Sequence, residues 1–154
     1  ERGYVFDIDG CKCFSFGGAR SHDISGGILQ PDKFENKKLM NKEADKWNHE
    51  GKFFRINHVS WWEQEMPNQV EMEKGIETLV TENNKVDFIF SHDCPSSDKT
   101  MILRTNEKDE LNEYFEHIKQ SVNYKKWFFG HYHENMVIPG GKDILLYEQI
   151  IQIN

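Results

Sequence analysis

Three histidines stand where their spacing permits chemistry. His92 follows the apolar run in VDFIFSHDCP, and His131 and His133 follow the one in KKWFFGHYHEN. Short, nearly continuous apolar runs of β-forming residues read as buried strands, so each imidazole falls at the C-terminal end of a strand. In layered α/β folds, ligands bind in the crevice outside those ends. If the two strands are neighbours, the three side chains converge. Extended backbone sends residues i and i+2 to one face, which puts His131 and His133 together and Tyr132 opposite. Two imidazoles spaced in this way suit two ions about 3.5–4 Å apart, the separation of two-metal phosphatase and nuclease sites. Gly130 leaves the backbone free to turn tightly beside such ions. The plain alternative is a pair of surface histidines at a strand end.

Charge sets a further requirement. Three neutral imidazoles leave two divalent ions uncompensated, and paired-metal sites normally add carboxylates. Asp93 is adjacent to His92 but faces the other way in a strand, and Asp23 lies in the GGARSHD loop; neither has a spacing that marks it as a ligand. The simplest expectation places the missing ligands before residue 1. His117 reads as a solvated helix residue, His49 as loop, and His58 lies in a stretch too irregular to place. Cys11 and Cys13 are closer together than structural zinc ligands usually are. With Cys94 they make an odd number, which reads as reduced thiols in a cytoplasm.

The elements that must position these residues follow from pattern. GYVFDIDG and CKCFSFGG alternate with period two around Asp9-Gly10, a hairpin signal. Residues 17–27 read as a surface loop, and residues 32–47 as a charged, exposed helix. Pro67-Asn68 opens a second helix carrying Val70, Ile76, Leu79 and Val80. A third helix is expected from about residue 107 to 122, with Asn106 as its N-cap and Leu111, Tyr114, Phe115 and Ile118 on one face. Pro95 reads as a strand stop. Residues 144–154, ILLYEQIIQIN, read as a long closing strand after the Pro139-Gly140-Gly141 turn. Helices alternating with strands in the middle and hairpin-like strands at both ends predict a layered α/β sandwich with mixed sheets.

A length of 154 residues suits one domain, residues 1–154. The 19 Lys and Arg against 26 Asp and Glu give a formal charge of −7, so no basic field exists to hold duplex DNA. No apolar run approaches the roughly 20 residues needed to cross a bilayer, which leaves no membrane partner and a cytoplasmic protein as the expectation.

The two histidine segments together resemble the two C-terminal motifs of the calcineurin-like metallophosphoesterases, a strand-end histidine followed later by Gly-His-x-His. The wider frame resembles a bacterial and phage branch of that family. There a VFxIDG hairpin leads to FGGA, SWW, E-x-P, VD, the strand-end histidine, WFFGHYH and a terminal LLYEQI, so the resemblance covers essentially the whole chain. It implies hydrolysis of a phosphomonoester or phosphodiester by a hydroxide activated on two divalent ions, manganese, iron or zinc. It also implies that His92 and His131 ligate one ion and His133 the other. The family's remaining ligands come from Asp-x-His, Gly-Asp and Gly-Asn-His motifs, including a bridging aspartate and the histidine that protonates the leaving group. None occurs in this sequence; WNHE at 47–50 lacks the glycine and follows a helix. The chain therefore reads as an incomplete metallophosphoesterase domain, with weak activity alone, no identified catalytic residue and a tendency to self-associate. Its partner is a phosphate-ester substrate, a nucleic acid only in that capacity. His22 and Asp23 in the glycine-rich loop, and Trp61 and Trp62, are candidate substrate-binding residues; core packing is an equal reading for the tryptophans. The competing class is a non-catalytic module that binds metal or a partner through its histidines.

Overall fold

Asp9 and Gly10, with φ of 51° and 80°, are both left-handed and close a two-residue hairpin between strands β1 (Arg2–Ile8) and β2 (Cys11–Phe16). Consecutive positive φ values define the turn whose twist suits right-twisted strands, and the Asp7 carboxylate accepts from Gly10 N at 2.9 Å. The computed structural model describes residues 2–153. It resolves into two compact units, one comprising the chain up to Ala19 and from Met66 onward, the other Arg20–Glu65.

The first unit is built on a six-stranded sheet in the order β1-β2-β5-β6-β8-β7, with β5 at Phe88–Ser91, β6 at Lys126–Phe129, β7 at Met136–Val137 and β8 at Asp143–Leu145. The four central strands are parallel and both edges antiparallel, which makes the sheet mixed, as the sequence pattern predicts. Alternation divides the strand side chains. Phe14, Phe16, Ile89, Trp127, Phe129 and Leu145 enter the main core with Leu79, Leu111, Phe115 and Ile118 from the helices. Cys13, Phe88, Phe128 and Ile144 form a smaller cluster on the opposite face. Phe6 and Ile8, paired with Cys13 and Cys11, carry that apolar face into solvent.

Helix α2 (Gln69–Thr81) starts at Asn68, whose side chain accepts from Glu71 N while Glu71 accepts from Asn68 N, a reciprocal cap. A Cβ on its buried Gly75 would collide with the Tyr114 hydroxyl and come within 3.0 Å of the Phe16 ring, so the missing side chain lets strand and helix approach. Val70 and Val80, read as core-facing, are 73% and 58% exposed. Helix α4 (Glu110–Ser121) begins later than expected. Asp109 caps it in place of Asn106, because Asn112 can return the bond to Asp109 N and is itself fully buried. Leu111, Phe115 and Ile118 fill the core as the pattern predicts, with Tyr114 packed beside them.

Pro95 does not merely stop β5: it caps α3 (Ser96–Leu103), where its lack of an N–H costs nothing. The long strand expected over 144–154 is limited to Asp143–Leu145, and Asn154 lies outside the described residues. Its neighbours are too short to pair with more: β6 ends at Phe129 and β7 spans two residues, so after Leu146 N reaches Phe129 O the ladder stops.

In the second unit, β3 (Gly27–Leu29) pairs in parallel with β4 (Phe54–Ile56). The helix expected over 32–47 is divided. Pro31–Lys33 form one tight turn, and α1 (Lys37–His49) starts afresh where the Asn36 side chain accepts from Leu39 N. Trp47 of α1 donates to Glu43 at 2.8 Å and meets Phe54 edge to face at 5.5 Å. Among the described residues no helix is long and apolar enough to cross a membrane.

Candidate functional site

Adjacent parallel strands β5 and β6 deliver two imidazoles to the same end of the sheet. His92 is the first residue after β5 and is exposed; its carbonyl accepts from Gly130 N at 3.1 Å, which ties the loop after β5 to the one after β6. The His92 and His131 rings lie 5.1 Å apart at 71°.

The path through 130–133 departs from the extended backbone expected there. β6 ends at Phe129, and His131 and His133 take φ of 72° and 52°, both left-handed. The i, i+2 argument therefore does not apply. His133 stacks on Tyr147 with centroids 5.1 Å apart at 24°, whereas His131 sits against His92. The sharp bend is not made by Gly130, whose φ is not left-handed and whose Cβ would meet nothing closer than 3.6 Å. Outside glycine, left-handed φ is uncommon, less so for asparagine, aspartate and histidine, and costs about 1–2 kcal/mol, so two such residues in one loop call for an anchor.

Tyr132 lies between them and packs against the main core. Its hydroxyl donates to Asp93 Oδ1, which also accepts from Cys94 N at 2.8 Å. Asp93 is 1% exposed, and its Oδ2 is buried without a hydrogen-bond partner. The backbone on either side is held as well. Trp127 Nε1 donates to Ser91 Oγ at 2.7 Å, Ser91 Oγ donates to Asp93 O at 2.6 Å, and the buried Asn112 amide donates to Cys94 O at 2.9 Å. Burial, then the neighbouring Cys94 and Asp93, push the Tyr132 phenol far up, so it remains a donor at any ordinary pH. Burial likewise raises the Cys94 thiol well above its ordinary value, which removes it as a nucleophile. All three cysteines are free.

The other candidates belong to the second unit. His22 is exposed, and the Asp23 carboxylate is paired with Arg55. Trp61 is half-buried, its carbonyl accepting from His58 N at 2.9 Å, and Trp62 is 43% exposed. His49 closes α1 instead of lying in a loop, with Nδ1 2.7 Å from Asp45 O. His117 is an exposed residue of α4, as expected.

Among the described residues no three His, Cys, Asp or Glu side chains gather into a set able to hold a metal ion. His92 and His131 are neighbouring imidazoles, and among the described residues no carboxylate joins them in such a set.

A second titratable cluster, with no signal in the sequence pattern, lies at the opposite ends of the strands. Lys119 Nζ reaches Asp98 Oδ1 at 2.6 Å and Asp143 Oδ2 at 2.7 Å, and Tyr124 donates to Asp143 Oδ1 at 2.8 Å. Asp98 is fully buried. Burial and then the Asp143 charge push it up to about 6 against the pull of Lys119. Burial acts to lower Lys119, but its bonds to Asp143 and Asp98 outweigh it and leave the ammonium raised.

Comparison of the chain with protein-family models, with curated proteins and with solved structures finds no match.

Proposed function

We propose that the chain is the C-terminal part of a calcineurin-like, metal-dependent phosphoesterase domain that hydrolyses phosphomonoesters or phosphodiesters. The reading rests first on the ordered sequence resemblance. The structural observation that carries it furthest is the pair of imidazoles, 5.1 Å apart, at the C-terminal ends of adjacent parallel strands. That is where α/β folds bind ligands, and imidazole is a ligand that manganese, iron and zinc all accept. His92 and His131 would hold an ion, and His133 a second; bound ions would supply Lewis acidity toward a phosphoryl oxygen. The carboxylates such a pair requires come, in this reading, from outside the described chain, and no catalytic step is assigned to residues within it.

A specific observation favours a second reading, a non-catalytic module that binds metal or a partner: no third ligand stands beside His92 and His131 among the described residues. One experiment separates the two. The protein supplied with manganese is assayed on p-nitrophenyl phosphate and bis-p-nitrophenyl phosphate, beside His92→Ala and His131→Ala. The phosphoesterase reading expects turnover that falls at least about tenfold in each variant. Metal binding without turnover supports the module, and turnover unchanged in both variants refutes the site.

A further inference from the structure

We infer that Tyr132 and Asp93 form a latch that fixes the loop of residues 130–133 against the loop after β5 and thereby holds His131 beside His92. The inference deepens the proposed metal role and identifies two positioning residues, neither of them a ligand. Four observations bear on it. The Tyr132 ring packs inward against the core while its two flanking histidines occupy strained left-handed backbone. The hydroxyl donates to a carboxylate that is 1% exposed and that belongs to the residue immediately after His92. That carboxylate also caps Cys94 N, so it braces its own loop and the facing one together. Its loop is in turn fixed by Trp127 through Ser91 and by Asn112 of α4. The latch therefore ends on the rigid sheet and helix.

Two left-handed histidines would relax toward ordinary backbone if nothing opposed them, and the relaxation would carry His131 away from His92. Among the described residues one direct backbone bond, Gly130 N to His92 O, also spans the two loops, and it precedes the strained residues. The Tyr132 hydroxyl, between the two strained residues, adds a side-chain link to the loop after β5. A site held to within about half an ångström needs such support behind its ligands.

Tyr132→Phe removes one oxygen and keeps the packed ring. The variant is compared with the native protein by amide hydrogen exchange, by the unfolding midpoint and by the NMR cross-peak between the His92 and His131 ring protons. The latch predicts exchange at residues 130–134 at least about tenfold faster and a weakened cross-peak, with α4 amides and the midpoint close to native. Native exchange and a native cross-peak would overturn it. If α4 also loses protection, Asp93→Asn decides, since it keeps an oxygen to accept from Tyr132. Near-native exchange in that variant supports the latch, and exchange as fast as in Tyr132→Phe overturns it. A manganese titration read from paramagnetic broadening of the imidazole signals tests the metal reading separately. Native His92 and His131 should broaden together, and in Tyr132→Phe the His131 signal should need about tenfold more manganese. Broadening of neither histidine in the native protein refutes the metal reading, and the exchange data still decide the latch.

Discussion

Replacing His131 and His133 by alanine or by glycine should reverse the usual order of those two residues. In ordinary backbone alanine is more stable than glycine by about 0.5–1 kcal/mol, because glycine loses more freedom on folding. At φ of 72° and 52° an alanine Cβ meets the left-handed penalty, about 1–2 kcal/mol per residue, which glycine escapes. Taking the middle of each range, glycine should lead by about 0.75 kcal/mol at each position, or roughly 1.5 kcal/mol for the double variants if the sites add. With a urea dependence of about 2 kcal/mol per molar, the midpoint of His131→Gly/His133→Gly should lie about 0.7 M above that of His131→Ala/His133→Ala. Gly130→Ala supplies the internal control. Its backbone is not left-handed and its added Cβ meets nothing nearer than 3.6 Å, so alanine there should be neutral or stabilising. An alanine pair as stable as the glycine pair would refute the left-handed loop and, with it, the separation of His131 from His133.

Three other outcomes test the framework behind the site. Lys119→Met leaves the buried Asp98 and Asp143 without their cation; at pH 8 the loss should be about 3 kcal/mol, shrinking as the pH falls through about 6 and Asp98 protonates, measured by urea unfolding across pH. Asp98 has its folded value raised to about 6, so its contribution is fully present below the ordinary carboxyl range and is lost as pH rises through about 6; Asp98→Asn should flatten the stability curve over that window. Gly75→Ala should destabilise by about 1–3 kcal/mol although alanine is the better helix former by about 1 kcal/mol, because its methyl group meets Tyr114 and Phe16; a rise in thermal midpoint would contradict the packing.

Much of the sheet is legible in the sequence because its signals are local. Asp9-Gly10 encodes its own turn, and the apolar runs of β5 and β6 have no alternative but burial. Asn68 and Glu71 cap α2 by contacts three residues apart, a range that pattern reading covers. Where the deciding partner is distant, the reading fails. Asp109 displaces Asn106 as a cap because Asn112 is held by Lys99 and by Cys94 O, from a different segment. The closing strand is cut short by the length of β6 and β7, a property of its neighbours and not of ILLYEQIIQIN. At the site, the strand ends and the nearness of His92 to His131 follow from strand order, whereas the reversal of the backbone after Phe129 does not. Alternation ends with β6 at Phe129, and the residues beyond it are governed by the anchoring of Tyr132. By strand parity Tyr132 falls with Phe128, on the face opposite the main core that it in fact packs against, so alternation carries no signal for that anchor.

Trp127 gives the first unit an optical signature of its own. The chain has four tryptophans, and Trp47, Trp61 and Trp62 all belong to the second unit. Trp127 is fully buried, edge-on to Phe115 and Tyr124, and donates its one N–H to Ser91, the residue before His92. With the other three replaced by phenylalanine, the emission should come from a single indole at the blue end of its range, shifting red when the sheet opens. Loss of sheet structure can then be followed by colour, apart from whatever the second unit does. An ion settling at the end of β5 would alter that emission in a protein that needs no dye.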